Sequence, residues 1–120
     1  MKDIEKELDK LVQIWASRQR SYVSYSIPCV GHHYHSRRIK LLRWDLKNII
    51  PLTHYEHSLV HNGNLVIDIK DPLVKSYLDQ MAVKNFKSYL LEQNITENEW
   101  LENKHKELKK ILKINFSNVY

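Results

Sequence analysis

Six of the seven histidines in this 120-residue chain lie between residues 32 and 61, in the segments GHHYH and THYEHSLVH. Imidazole is the commonest metal ligand in proteins, and it can also take up a proton near neutral pH. A histidine cluster of this density in a basic chain therefore predicts a metal site that performs chemistry. Its members are His32, His33, His35, His54, His57 and His61.

The spacing of four of these histidines predicts separate roles for them. His57 and His61 are four residues apart, so both project from the same face of a helix. His32 and His33 are adjacent, so their side chains diverge at the end of a strand. If the helix packs against the strand, His32, His57 and His61 meet as a three-imidazole site with open positions. That number of ligands is typical of a catalytic metal, because a structural zinc site is closed by four protein ligands.

Two further residues are predicted to take part in the reaction. His33 stays free of the metal and can act as a general base. Asn48, on a second strand, can hydrogen-bond near His33 and fix its orientation. His35 lies on the same strand face as His33 and is either a substrate contact or a surface residue. His54 and His105 are interpreted as ordinary surface residues.

The identity of the metal stays open from these residues. An all-imidazole site suits Zn, Ni or Mn better than Mg, which prefers oxygen ligands. Open coordination positions can still admit Mg or Mn once phosphate oxygens complete the shell. We therefore expect one divalent metal ion, either Mg, Mn, Ni or Zn.

A hairpin and a helix are the elements that must position these histidines. The sequence predicts short strands at residues 28–35 and 46–52, joined by a basic loop at residues 36–45. After Pro51 it predicts a short helix that ends at the Asn-Gly pair of residues 62–63.

Helices are predicted on both sides of this unit. Apolar residues at helical spacing predict an N-terminal helix over residues 2–20. Residues 64–70 alternate in polarity and predict a short strand. Asp71, followed by a proline, is a plausible N-cap for a helical stretch to about Gln93, broken near residues 83–85.

Thr96 and Glu99 form a capping box that opens a last helix, and residues 114–120 are expected to be frayed or loosely packed. Length and composition favour one α+β domain spanning residues 1–120. Within it we distinguish an N-terminal helix and lead-in at 1–27, a histidine-bearing core at 28–63 and a helical C-terminal region at 64–120.

The positive charge of the chain is concentrated in one segment. The formal net charge is +5, and residues 17–47 carry seven Lys or Arg against a single acidic residue. The rest of the chain carries twelve basic and thirteen acidic residues. Positive charge beside a metal site predicts a polyanionic substrate, most simply nucleic acid, although a solvated surface is the alternative interpretation.

Arginine forks pair well with phosphate, so the arginines of this segment are the candidate contacts to a nucleic-acid backbone. Those of the predicted hairpin loop are the main candidates, and two near the end of the first helix are secondary ones: Arg37, Arg38 and Arg43, then Arg18 and Arg20. The lysines between residues 104 and 113 form either a solvated helix face or a second DNA contact. A homodimer is also left open.

The composition excludes several classes of protein. The single cysteine, Cys29, excludes an internal disulfide framework and a four-cysteine zinc ribbon, and it fits a reducing compartment. The charged N-terminal segment does not resemble a signal peptide. Apolar runs stay shorter than the roughly 18 residues that span a bilayer. We therefore expect a cytoplasmic protein that does not enter the membrane.

Two adjacent histidines, a central asparagine and a helical H-x-x-x-H resemble the ββα-metal motif of the HNH (His-Me finger) nucleases. The fifteen residues from His33 to Asn48 and the nine from Asn48 to His57 look like the gaps of the colicin-type DNases. The text GHHYHSRR followed by LRWDLKN is similar to phage NinG/Rap-type recombination endonucleases. The motif covers about residues 29–63, and a looser similarity extends toward both ends.

The resemblance implies a ββα-metal core with a β-hairpin and a metal-binding helix, flanked by N-terminal and C-terminal helices. It implies a metal-dependent DNA endonuclease, encoded by a phage or prophage and acting in recombination or branched-DNA processing in the bacterial cytoplasm. His33 would deprotonate the attacking water, and the products would carry 5′-phosphate ends. Some members use only two protein ligands, so His61 is either a third ligand or a residue beside the metal.

The chain departs from the family pattern in its cysteines. Many phage members carry cysteine pairs that bind a structural zinc, and the helix side of that pattern reads C-x-x-C-H. Here Thr53 and Glu56 stand at the two cysteine positions, and Cys29 has no partner. We therefore expect no structural zinc. The alternatives to a recombination nuclease are a DNA-binding accessory protein with a vestigial HNH fold and a toxin-like general nuclease.

Overall fold

The computed structural model describes residues 2–113, so the predicted frayed tail at residues 114–120 lies outside the described residues. The described part is a compact α+β fold, mostly helical, with a two-stranded antiparallel hairpin. In chain order its elements are α1 Asp3–Ser17, β1 Val30–His33, α2 Lys40–Arg43, a 3-10 turn at Leu46–Asn48, β2 Ile49–Leu52, α3 His54–His61, α4 Pro72–Ala82, α5 Phe86–Gln93 and α6 Glu97–Leu112.

The hairpin lies between two helical layers. β1 and β2 pair from Val30 opposite Leu52 to His33 opposite Ile49. Successive side chains of a strand point to opposite faces, and β2 shows this because Ile49 joins a core cluster with α1 and α6, whereas Ile50 joins a second cluster under α4. Both faces of β2 are therefore buried, which holds the register of the hairpin.

The approach of α1 to the hairpin depends on Gly31. A Cβ atom at this position would lie 2.9 Å from Cγ2 of Ile49 and 3.3 Å from the Cβ of Ala16. The Gln13 side chain completes the contact, since its Oε1 accepts the Gly31 N–H at 2.9 Å. The small residue therefore lets α1 lie directly against the strand that carries the adjacent histidines.

The helix α3 begins immediately after β2, which returns the chain to the hairpin. Its N-cap is Thr53, whose side chain accepts the Glu56 N–H while the Glu56 carboxylate accepts the Thr53 N–H. This capping box satisfies two backbone donors that would otherwise lack partners. Glu56 is buried and also accepts a hydrogen bond from the Ser21 hydroxyl, so the start of α3 is fixed to the lead-in segment.

The flanking helices follow most of the predicted boundaries. The Asp71 side chain accepts the Leu73 N–H, the predicted break falls between α4 and α5, and Thr96 forms the capping box of α6. No helix within residues 2–113 is long and apolar enough to cross a bilayer.

Three local predictions are wrong. Residues 64–70 form an irregular segment instead of a strand: Ile69 is buried in the cluster under α4, and the Lys70 N–H donates to the Tyr22 hydroxyl. Every second residue of this segment turns toward the protein, so its polarity alternates as in a strand. An extended loop that packs on the core gives the same alternation. The predicted basic loop contains the short helix α2, and residues 46–48 form a 3-10 turn before β2.

Candidate metal centre

Three histidines meet where α3 crosses the hairpin. Ligand nitrogens of His32, His57 and His61 all lie within 4.8 Å of one another. The Nε2 atoms of His57 and His61 are 3.1 Å apart, and the ring of His32 lies 5.5 Å from that of His57 between centroids. The structure therefore brings together the three residues predicted as metal ligands, close enough to bind one ion.

The distances are compatible with a single bound ion. A tetrahedral ion with bonds of about 2.1 Å holds its ligand atoms about 3.4 Å apart, which is close to the 3.1 Å between the Nε2 atoms of His57 and His61. His32 and His57 are half-buried and His61 is exposed. One side of the cluster consequently faces solvent, which leaves room for a water molecule or a substrate oxygen.

The two half-buried imidazoles are held in their neutral form, which is the form that binds a metal. Burial, reinforced by the neighbouring imidazoles, lowers the pKa of His32 from 6.5 to about 4. Burial is also the main cause that lowers the pKa of His57, with His61 next. Neither ring therefore has to release a proton before it binds an ion at neutral pH.

His33 is held apart from this cluster by a backbone contact. Its Nε2 lies 2.8 Å from the carbonyl oxygen of Arg43. A carbonyl can only accept a hydrogen bond, so in the neutral ring the proton sits on Nε2 and the lone pair is on Nδ1. Burial lowers the pKa of His33, although the bond to Arg43 acts in the opposite direction. The result is a neutral imidazole whose Nδ1 can accept a proton.

The His33 side chain lines a small cleft of about 130 Å³ between α1 and the hairpin loop. The cleft places a neutral base, a carboxylate and a guanidinium side by side, which is a combination that can handle a phosphate and a water molecule. Its other lining residues are Asp9, Val12, Gln13 and Arg37.

Asn48 hydrogen-bonds to the backbone close to His33 in the chain, and its role in fixing the His33 ring stays a prediction. It is fully buried, its Oδ1 accepts the His35 N–H at 2.9 Å, and its Nδ2 donates to the carbonyls of His35 and Leu42 at 3.1 and 3.2 Å. These bonds tie the chain just after His33 to α2. The ring of His33 itself contacts the Arg43 carbonyl, and Asn48 supports the loop that carries it.

Replacing Asn48 with alanine should lower the free energy of unfolding by about 3 kcal/mol, because several backbone groups that it satisfies would lose their partner and each unsatisfied group costs about 1–3 kcal/mol. Urea unfolding followed by circular dichroism measures the change. Asn103→Ala, at an exposed position of α6, is the control. A loss no larger than that of the control would show that Asn48 does not hold the loop.

The hairpin-loop arginines divide into one enclosed and two exposed side chains. Arg43 is 14% exposed, and its Nε and Nη2 donate to the Asp9 carboxylate at 3.0 and 2.7 Å. Arg43 is thus paired with an internal carboxylate, and its role as a phosphate contact stays a prediction. Arg37 is 58% exposed, with one contact of 3.2 Å to Asp9, and Arg38 is exposed. These two side chains face solvent beside the cleft.

The two secondary arginines make contacts within the fold. Arg18 donates to the carbonyl of Leu112 at 3.0 Å, and Arg20 donates to the carbonyl of Tyr25 at 3.1 Å. Each of these bonds uses only one nitrogen of the guanidinium. The structure therefore shows what anchors these side chains, and their predicted role in DNA binding stays a prediction.

The remaining histidines have distinct surroundings. His35 Nε2 lies 2.8 Å from Asp79 Oδ1, which links the hairpin to α4. His54 is exposed, as predicted. The prediction that His105 is a surface residue is wrong: its side chain is only 13% exposed and lies 3.3 Å from a carboxylate oxygen of Glu7.

Asp9 is the residue of the cleft that sequence reasoning missed. It lies in α1 and contacts Arg37, Arg43 and Trp44 of the hairpin loop. The available signal was its spacing, because Asp9 stands three residues before Val12 and so lies beside the apolar stripe of the helix. A carboxylate at the edge of a buried helix face loses part of its hydration, so a basic partner is expected beside it.

Comparison of the chain with protein-family models, with curated proteins and with solved structures finds no match. The chemistry of the site is therefore inferred from its own residues. They provide a three-imidazole cluster open to solvent, a separate neutral imidazole with a fixed tautomer, and exposed arginines on the adjoining loop.

Proposed function

We propose that the chain is a metal-dependent DNA endonuclease of the HNH type, with its ββα-metal core at residues 28–63. The single observation that supports this most is the pairing of two kinds of histidine at one end of the hairpin. His32, His57 and His61 can share an ion, while the adjacent His33 keeps a free Nδ1. A structural metal site does not require a free base beside it. A surface that only binds DNA requires neither a metal cluster nor a base.

The chain's own groups can carry the hydrolysis of a phosphodiester. The Nδ1 of His33 removes a proton from a water molecule as the water oxygen bonds to phosphorus. The bond from phosphorus to the 3′ oxygen breaks and that oxygen takes a proton from solvent, which yields a 5′-phosphate and a 3′-hydroxyl end. The carbonyl of Arg43 keeps its hydrogen bond to Nε2 throughout and stabilises the imidazolium that forms.

A divalent ion bound by the three imidazoles would polarise a phosphoryl oxygen and stabilise the leaving oxygen. We propose Mg, Mn, Ni or Zn as the ion, with the nitrogen ligands favouring the last three. His61, whose Nε2 lies 3.1 Å from that of His57, is included as the third ligand.

DNA is the proposed substrate because the positive charge lies beside the base. Arg37 shares the cleft with His33, and Arg38 follows it on the exposed loop. Contacts of this kind neutralise backbone phosphates and make binding depend steeply on salt. We propose that the protein serves a phage or prophage in recombination or in the processing of branched DNA.

The test is cleavage of single-stranded, linear duplex, supercoiled and four-way-junction DNA, each with Mg, Mn, Ni or Zn. We expect at least one DNA to be cut, with 5′-phosphate ends detected by end-labelling. A complete absence of cutting, identical to that of His33→Ala, would refute the nuclease function. If both proteins also bind DNA equally well in a band-shift assay, the chain is instead a DNA-binding accessory protein with a vestigial nuclease fold.

A further inference from the structure

The carboxylate of Asp9 collects hydrogen bonds from three side chains of the hairpin loop. It accepts two from Arg43, one from Trp44 Nε1 at 2.8 Å and one from Arg37 at 3.2 Å. Burial by itself raises the pKa of Asp9, but the bonds from Arg43 and Trp44 and the nearby positive charges outweigh it. Asp9 is thus an ionised group at 28% exposure, shared by several donors.

Two of these donors flank the carbonyl that holds His33. Arg43 is the last residue of α2 and Trp44 is its C-cap, so the Arg43 carbonyl belongs to the peptide group between them. Carbonyls in the last turn of a helix have no partner within the helix, which leaves this one able to accept the His33 Nε2–H. Asp9 therefore fixes the side chains on both sides of the peptide group that orients His33.

We propose that Asp9 is a positioning residue for His33: through Arg43 and Trp44 it holds the backbone carbonyl that keeps the proton on Nε2 and the lone pair on Nδ1. The catalytic consequence rests on the nuclease function proposed above. The structural consequence, the tautomer of His33, does not.

A second ion pair between α1 and α2 makes it possible to distinguish a residue that positions His33 from one that only anchors the two helices to each other. Glu5 on α1 has a side chain that is only 7% exposed and lies 2.9 Å from Nζ of Lys40, at the opposite end of α2. Both pairs join α1 to α2, but only the pair at Asp9 adjoins the carbonyl bonded to His33. Glu5→Gln is therefore a matched control for Asp9→Ala.

Steady-state cleavage by the metal-loaded full-length chain gives the first readout. We expect Asp9→Ala to lower kcat about 10- to 100-fold, by analogy with the loss found when the hydrogen-bond partner of a metal-bound histidine is removed, with little change in KM. Glu5→Gln should keep a kcat close to that of the wild type. Asp9→Asn, which retains one acceptor oxygen but not the charge, should fall between Asp9→Ala and the wild type.

The second readout is the tautomer of His33 in the metal-free protein, from long-range proton–nitrogen correlation spectra at mildly alkaline pH. The His33 signals are assigned by their loss in His33→Gln. We expect Nε2–H in the wild type and in Glu5→Gln, and a mixture of tautomers in Asp9→Ala. If Asp9→Ala does not fold, Asp9→Asn supplies the same comparison.

The two readouts keep the two proposals distinguishable. If the Asp9 variants keep the Nε2–H tautomer and the kcat of Glu5→Gln, then Asp9 is an anchoring ion pair and the positioning role is refuted. If the wild type cuts no DNA, the nuclease function fails, and the tautomer spectra alone decide whether Asp9 positions His33.

Discussion

Replacement of His33 with glutamine should lower kcat for DNA cleavage by about 10²- to 10⁴-fold, the usual contribution of a positioned general base. Glutamine keeps a side-chain N–H that can donate to the Arg43 carbonyl, but it has no nitrogen able to take a proton near neutral pH. The metal ligands are untouched, so metal affinity should stay within a few-fold of the wild-type value. Single-turnover cleavage of supercoiled plasmid under saturating protein measures the chemical step.

His54→Gln is the matched control for this prediction. His54 is exposed at the start of α3, so the same substitution there should leave the single-turnover rate close to that of the wild type. A His33→Gln protein that cleaves as fast as His54→Gln would show that another group, or hydroxide from solvent, activates the water.

Replacement of His57 with alanine should weaken binding of a divalent transition metal by at least about 100-fold, since loss of a direct ligand should exceed the 10- to 100-fold effect of removing an outer-shell partner. His57 is central to the cluster, because its Nε2 lies 3.1 Å from that of His61 and its ring lies 5.5 Å from that of His32. Isothermal titration calorimetry with zinc should give one site per wild-type chain.

His54→Ala, one helical turn earlier on α3, should keep that site and serves as the control. Thermal unfolding gives an independent check. An ion that binds only the folded chain, and whose free concentration is 100 times its Kd, stabilises the fold by about 2.7 kcal/mol. This stabilisation should disappear in His57→Ala. Equal zinc affinity in His57→Ala and His54→Ala would show that the three imidazoles are not the metal site.

The meeting of the three imidazoles could be predicted because it depends on local geometry. Four-residue spacing puts His57 and His61 on one helix face whatever surrounds them. The capping residue Thr53 directly follows β2, so the helix had to start beside the hairpin. The spacing did not predict the direction in which α3 folds back on the hairpin.

The supporting contacts could not be predicted in the same way, because they join residues far apart in the chain. Asp9 lies 34 residues before Arg43, and charge patterning cannot say which of several arginines a carboxylate will select. Asn48 was expected to hydrogen-bond near His33, but the spacing did not show that its partners would be backbone groups of His35 and Leu42.

The prediction for residues 64–70 failed for a different reason. Polarity alternates there because every second residue turns toward the protein, but a strand also needs a partner edge. The Lys70 N–H donates to the Tyr22 hydroxyl instead of to another strand. Pattern alone does not distinguish a strand from an extended loop that docks on a core.

Addition of metal to chelator-treated protein tests the proposed nuclease centre most directly. Wild-type chain, stripped of metal, is mixed with supercoiled plasmid. Zn, Ni, Mn or Mg is then added in increments smaller than one ion per chain, to beyond one ion per chain. We predict no cleavage by the stripped protein and, with a tightly bound ion such as zinc or nickel, a rate that rises linearly and levels off at one ion per chain. Full cleavage by the stripped protein, or none at any level of all four metals, would contradict a metal-dependent nuclease built on these histidines.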